Sequence, residues 1–376
     1  IDKSLPNVEQ EIKLPSEEEI AEASQDNIEE QVGPEDVQVE QDEDGGATIT
    51  FDPEAVNQPG TNEHFDNLAD LLPEDVLGRL GSELFENYTQ YKASRKDWED
   101  SYTKGLDLLG FKYETRSQPF SNASGATHPV LAEAVTQFQA QAYKELLPAT
   151  GPVHTQIMGI PSRQKEEQST RVKNFMNYQL MNVMKEYEPE FDQLLFYLPL
   201  SGSAFKKIYY DEILDRAVSK FVPADDLIVP YTATSLEDAD SIVHVLKMSE
   251  NELRKKQVSG FYRDIEITPG YAQESEVEKK ERELEGVKKT RDEQMFTILE
   301  VHTNIDLEGF EDKDQEQNPT GIKLPYIVTV DTSSREVLSI RRNYKAEDPT
   351  KSKVEYFTHF KFLPGLGFYG FGLIHM

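Results

Sequence analysis

The sequence predicts an α+β protein in which helices come first and a mostly antiparallel sheet follows. Three observations predict it. Apolar residues from Leu84 to Leu109 recur at spacings of three, four and seven, which is helical. Beyond Gly202 the period shortens to that of strands, with turn residues between short apolar runs. Strands do not alternate with helices in a repeating pattern, so a parallel doubly wound sheet is not indicated.

Residues 1–60 hold 18 acids and two bases, Lys3 and Lys13, about half of the chain's net charge of −31. Such a segment buries too little apolar surface to offset its ordering entropy, so residues 1–64 are expected to be a disordered acidic tail. Phe65–Leu72 begins a helical region, expected to extend over residues 65–200. Pro73 is placed in a helix first turn, where Glu74 and Asp75 suit the positive end of the dipole. Leu84, Tyr88, Tyr91, Trp98, Tyr102, Leu106 and Leu109 predict one long helix packed on a neighbour and stopped by Gly110.

A second helix is predicted over Pro129–Leu147, capped by Thr127 or His128, with Leu131, Val135, Phe138, Ala142 and Leu146 on one face. A third runs from Ser162 to Tyr187. Its apolar side is Val172, Phe175, Met176, Leu180, Val183, Met184 and Tyr187. Pro189 interrupts it before a short apolar helix to Leu198.

Residues 201–376 read as β-rich. Ala204–Tyr210 and Ala217–Val222 pair through the turn Asp211–Arg216, and Ile242–Met248 is a further strand. Ser249 and Glu252 form a capping box for a short helix. Met295–Thr303, Tyr326–Val330, Val337–Arg341 and Glu355–Leu363 complete the sheet. Two charged insertions, residues 271–294 and 305–321, break it. Glu274–Glu293 interleaves eight acids with six bases and reads as a solvated helix or mobile insertion. Asp306–Asn318 sets six acids against Lys313 alone and shows no apolar face.

The chain has 376 residues and no cysteine, which removes disulfides, thiolate metal sites and cysteine nucleophiles and fits assembly in a reducing cytoplasm. The longest apolar run, Leu194–Leu200, contains Pro199 and is far short of a membrane span. No secretory signal is present. Ile1 and Met376 both read as cut ends, so a longer parent protein, truncated at its carboxyl end, is expected.

Each motif with chemical potential has an ordinary reading beside it. Gly365, Gly367 and Gly370 spell G-x-G-x-x-G, but Pro364 leads in and bulky Leu366, Phe368 and Tyr369 fill the gaps. A tight backbone passage or a glycine hinge is expected instead of a nucleotide site. No phosphate-binding G-x-x-x-x-G-K-[ST] occurs. Asp312, Asp314, Glu316 and Asn318 alternate like calcium ligands, but Gln317 stands where the loop needs glycine, so a solvated acidic loop is expected. His64, His128, His154, His244, His302, His359 and His375 include no pair at helical zinc spacing. Ser203 follows Gly202 without forming G-x-S-x-G, and a turn is expected. The basic groups Lys206–Lys207, Arg254–Lys256, Lys288–Lys289, Arg341–Arg342 and Lys351–Lys353 are small and set among acids. Solvated faces are expected there, not a nucleic-acid stripe. No catalytic, cofactor-binding or metal-binding residue is predicted, and no cofactor.

The sharpest signal is the block Arg116–Asp211. As a whole it resembles the wing region of portal proteins from short-tailed, double-stranded DNA bacteriophages. The likeness extends over Leu71–Leu373 and is densest in THPVLAEAVTQFQAQAYKELLPATGPV (Thr127–Val153), RVKNFMNYQL (Arg171–Leu180), EPEFDQLLFYLPLSGSAFKKIYYD (Glu188–Asp211) and FVPADDLIVPYTATSLEDADSIVH (Phe221–His244). The resemblance implies a structural protein, not an enzyme. It would be a dodecameric homo-oligomeric ring at one capsid vertex of the virion, the head–tail connector, assembled in the host cytoplasm. Double-stranded DNA would pass through its channel without sequence specificity during packaging and ejection. The implied partners are the terminase large subunit, capsid and scaffold proteins, and head-completion or tail adaptor proteins, with no membrane. Channel-lining and terminase-contacting residues are not identified by the resemblance. Lateral packing of helices such as Leu84–Leu109 and Pro129–Leu147 is expected to build the ring. Two alternatives stay open: another virion assembly protein, such as an acidic scaffold or head–tail adaptor, and a hydrolase. The sign of the hydrolase would be a cleft with two close carboxylates of perturbed acidity.

Overall fold

The computed structural model of the chain describes residues 64–109, 120, 128–211, 214–269, 275–287, 295–313, 318–365 and 367–376, and the backbone of residues 37–41 and 47–51. Residues Ile1–Glu63 and His64–Met376 form separate units. In the first, β1 (Val37–Gln41) pairs antiparallel with β2 (Ala47–Phe51). The rest of the acidic segment lies outside the described residues.

The second unit is α+β, as the periodicities predict. Its helical half holds α1 (Glu74–Ser94), α2 (Lys96–Leu106), α3 (Val130–Leu146), α4 (Arg163–Tyr178) and α5 (Tyr187–Ser201). Then come β3 (Ser203–Asp211), β4 (Arg216–Pro223), β5 (Leu227–Ile228), β6 (Ser241–Ser249), α6 (Glu250–Val258), α7 (Glu276–Glu285), β7 (Met295–Ile305), β8 (Leu324–Asp331), β9 (Val337–Arg342) and β10 (Phe357–Lys361). The strands form two antiparallel sheets, in the orders β10-β3-β4 and β5-β6-β7-β8-β9.

Both faces of the larger sheet are covered. On one, Leu68, Leu77 and Leu84 pack against Tyr326, Val328, Val330 and Ile340. On the other, Leu253 of α6 and Tyr262 join Met248, Phe296, Ile298 and Leu338. This is why the central strand β8 is buried almost throughout and does not alternate. Leu77, which has no exposed surface, contributes about 1.5–3 kcal/mol by burial. The helical half packs on the smaller sheet through Leu194 and Leu195 of α5 against Ala204 of β3.

Several boundaries differ from the sequence reading. The helix expected to run unbroken to Leu109 breaks at Arg95 (φ −103°, ψ 10°), because that side chain turns inward. Pro73 stands just ahead of α1 in extended backbone, with Glu74 and Asp75 in the first turn. The third helix ends at Tyr178 and passes through a π-helical turn, Gln179–Val183. Pro189 lies in the first turn of α5, where its missing N–H costs nothing. The expected capping box at Ser249 and Glu252 is formed. The short β5 has no signal in the sequence. The charged helix α7 is not merely solvated: Val277 is fully buried against Tyr102 and Leu106. Asp306–Asn318 has an apolar side after all, since Leu307 is buried and Phe310 packs on the same core.

α5 ends at Gly202, whose φ of +86° is left-handed. A Cβ there would lie 2.3 Å from the backbone of Phe371 and Gly372, and one on Gly370 would lie 2.4 Å from the Gly202 carbonyl. The G-x-G-x-x-G segment is thus a close backbone passage beside the end of α5. Gly202→Ala combines about 1–2 kcal/mol of backbone strain with displacement of this passage. It should lower the melting temperature by at least about 4 °C. An unchanged melting curve would show that the passage is not a constraint.

Candidate functional site

The residues flagged in the sequence are spread across the fold, and most act inside it. Ser203 Oγ and His359 Nε2 lie 3.1 Å apart, a serine–histidine pair that sequence spacing did not reveal. Ser203 is fully buried and its Oγ accepts the Gly370 N–H at 2.7 Å. The His359 ring stacks on Phe205, and burial, then Lys361, pushes its pKa down to about 3. Among the described residues no carboxylate orients the imidazole, and Ser203 Oγ lies in the interior while His359 is half-buried. Asp312 is occupied by Lys351 and Thr320. Asp314 and Glu316 lie outside the described residues. His64 contacts the Tyr344 carbonyl and His375 accepts the Gly372 N–H. His128 and His154 are exposed.

One basic pair, Lys206–Lys207, is not a solvated face, whereas Arg254 and Lys255 are exposed as expected. Lys206 is 4% exposed, with Nζ 4.0 Å from the ring centre of Tyr187 and 4.8 Å from that of Phe191. Burial pushes its pKa down to about 8 against the pull of Glu190 and Glu186. Lys207 Nζ donates to both oxygens of Glu300 at 2.6 Å, and His302 Nε2 lies 2.7 Å from the same carboxylate. Burial opposes ionisation of Glu300, but Lys207 and His302 hold it well below the usual carboxylate range. Neighbouring His244 is held neutral by burial and Lys207, at about 3. Arg254 pairs with Asp264, Arg341 donates to the Phe65 and Phe261 carbonyls, Arg342 donates to the His64 carbonyl, and Lys353 donates to the Leu236 and Glu237 carbonyls. Lys288 and Lys289 lie outside the described residues. Lys206 and Lys207 are fold-internal because β3 is covered on both sides, which its run of small and apolar neighbours does not announce.

Sequence reasoning missed the Arg95 tie. At the α1–α2 break its guanidinium donates Nη1 to the Ala224 and Leu227 carbonyls at 2.8 and 3.1 Å and to the Tyr369 hydroxyl at 3.0 Å. Nε pairs with Glu99 at 2.8 Å. Trp98 stacks beside it on Tyr102 and Tyr369. The only available signal was an arginine inside an aromatic helical stripe.

Next to this tie lies a carboxylate cluster. Asp225, Asp226 and Glu278 each present an oxygen within 4.8 Å of the others, and Tyr102 donates its hydroxyl to Glu281 at 3.2 Å. Burial and then Asp225 push Glu281 up to about 8, and burial and Asp225 push Asp226 up to about 7. Lys247 pairs with Glu278, so the group carries its own ammonium counter-charge. Paired carboxylates of perturbed acidity are what a hydrolase would display. These, however, sit between α7 and the turn before β5 and line neither the groove nor the small cavity beside His302.

A groove between α3 and α5 has a cavity of about 550 Å³ lined by Thr136, Gln139, Ala140, Tyr143, Glu188, Pro189 and Asp192. Tyr143 donates its hydroxyl to Glu188, and Gln139 donates to Asp192 at 2.8 Å. Among the described residues neither carboxylate is paired with a cation. A smaller cavity of about 30 Å³ beside His302 and Asn343 has room for about one water. Beyond the groove, α4 has no buried residue at all. Its expected apolar side is in solvent: Phe175 is 61% exposed, and Val172, Met176 and Tyr178 are also exposed. By contrast, the stripes of α1, α2 and α3 are spent inside the chain through Leu84, Tyr102, Leu106, Ala132 and Val135.

No family model matches this chain, and no curated protein matches it significantly. Among the described residues, no helix is long and apolar enough to cross a membrane.

Proposed function

We propose that this chain is a subunit of a phage portal: a structural ring protein that serves as the conduit for double-stranded DNA at one capsid vertex. The observation that carries this reading is the placement of the four stretches resembling portal wings. They fall on consecutive parts of one packed body: Thr127–Val153 on α3, Arg171–Leu180 on α4, Glu188–Asp211 on α5 and β3, and Phe221–His244 on β4, β5 and β6. The reading also accounts for an uncovered apolar helix, which a ring subunit needs and a self-contained monomer does not. The flagged serine, histidines and lysines serve the fold's interior. Terminase, scaffold and adaptor proteins are the partners such a ring would meet.

Negative-stain electron microscopy of the protein expressed alone tests the proposal. Rings of roughly a dozen subunits with a central hole are expected. Monomers or solid particles at high concentration would overturn it in favour of an acidic scaffold or adaptor. The hydrolase alternative rests on the carboxylate cluster and predicts an activity that Asp226→Asn abolishes.

A further inference from the structure

We infer that α4 is an arm that seats in the α3–α5 groove of a second copy of this chain. The inference rests on the ring reading and deepens it by naming the two surfaces that meet.

The first argument is that α4 is incomplete alone. Its described ties to the chain are polar and lie along one side. Asn177 Oδ1 accepts the Val153 N–H at 2.9 Å, Asn177 Nδ2 donates to the Val153 carbonyl at 3.1 Å, and Ser169 Oγ donates to Thr155 Oγ1 at 2.8 Å. A lone helix of 16 residues is marginal in water, and helices in proteins are held mostly by an apolar face packed on something. Here that face, Val172, Phe175 and Tyr178, packs on nothing. Met158 and Ile160, just before the helix, are each 84% exposed and extend the same need.

The second argument is charge. Arg171 stands four residues before Phe175 and seven before Tyr178, so it shares their face. It has no acidic partner among the described residues. The groove offers the converse: an apolar floor of Ala140, Pro189 and the Tyr143 ring, flanked by Glu188 and Asp192 without a cation. A basic, apolar arm and an acidic, apolar groove on one chain are complementary. The groove stays open in the chain that carries it, so its own arm does not fill it. Contact between two different patches is heterologous, and repeated around an axis it closes a ring.

Sedimentation velocity and negative-stain microscopy of the full chain test the inference, with circular dichroism to confirm folding. Arg171→Glu alone, and Glu188→Lys with Asp192→Lys, should each weaken self-association on the order of tenfold or more. All three changes in one chain should restore the wild-type assembly. Phe175→Asp, which removes the apolar anchor without creating a complementary pair, should weaken assembly in every background. If the charge reversals leave the rings intact, the interface lies elsewhere and the inference falls while the ring reading stands. If the singles weaken assembly but the combination does not restore it, the pairing of arm with groove is wrong. If the wild type is monomeric, the inference and the ring reading fall together.

Discussion

Arg95→Met is expected to destabilise the larger unit by about 3–5 kcal/mol, the range for breaking a buried ion pair by removing one partner. Methionine keeps most of the arginine stem, so packing changes little. What is lost is the planar fork of donors. The Ala224 carbonyl then loses this donor, the Leu227 carbonyl keeps only the Tyr369 hydroxyl at 2.9 Å, the Tyr369 oxygen no longer accepts from the guanidinium, and Glu99 is left as a largely buried carboxylate without its cation. The tie joins the α1–α2 break, the turn before β5 and the carboxyl-terminal segment, so its loss loosens three chain regions that are far apart in sequence. Trp98 is the single tryptophan and stacks on Tyr102 and Tyr369 beside the guanidinium. Its fluorescence in a urea titration therefore reports directly on this region. Arg95→Lys should recover only part of the loss, because an ammonium cannot reach all the acceptors at once. A midpoint for Arg95→Met within about 1 kcal/mol of wild type would show that the tie is incidental.

Glu281→Gln is expected to do the opposite, by an amount that grows as pH rises above the unfolded glutamate's value. Glu281 on α7 faces Tyr102 of α2, Asp225 and Asp226 before β5, and Glu285 on its own helix; Lys247 and Glu278 pair beside it, and Arg95 and Lys92 approach from α1. Burial first, then Asp225, raises its pKa to about 8, above the value near 4.3 of an unfolded glutamate. Between those values the folded state binds more protons than the unfolded state. Stability therefore falls as pH rises through this window and is highest below about 4.3. Glutamine is isosteric, keeps an acceptor for the Tyr102 hydroxyl and carries no charge at any pH. The variant should match wild type near pH 4.5 and exceed it by about 2 kcal/mol at pH 8.5, less than the full shift would give because the carboxyl keeps partial access to water. Asp226, raised to about 7, leaves a smaller slope behind. Thermal melts of both proteins from pH 4.5 to 8.5 decide the matter; parallel curves would mean that Glu281 titrates normally.

The fold was largely legible and the site largely not, for one physical reason. Periodicity records which side of an element avoids water, and it located α3, β3, β4, β6, β7 and β9 closely. It does not record what covers that side. The apolar positions of α4 and of α1 look alike in sequence, yet Leu77 and Leu84 meet a sheet while Val172 and Phe175 meet solvent. Lys206 and Lys207 read as a surface pair because charge usually stays wet. Only the arrival of α5 on one side and Glu300 on the other converts them into a ring-stacked ammonium and a buried ion pair. The charged α7 was misread for the same reason: one valine and one glutamate point inward, too few to shape a pattern.

By itself, then, the sequence determined the α+β order, the acidic amino-terminal segment, the cap at Ser249, and the likeness to portal wings, all of which are local in the chain. The tertiary structure decided the rest. The Arg95 tie, the raised pKa values of Asp226 and Glu281, the Ser203–His359 pair and the groove between α3 and α5 arise from contacts between residues tens to hundreds of positions apart. Burial and Coulomb energies depend on distance in space, and no window along the chain contains them.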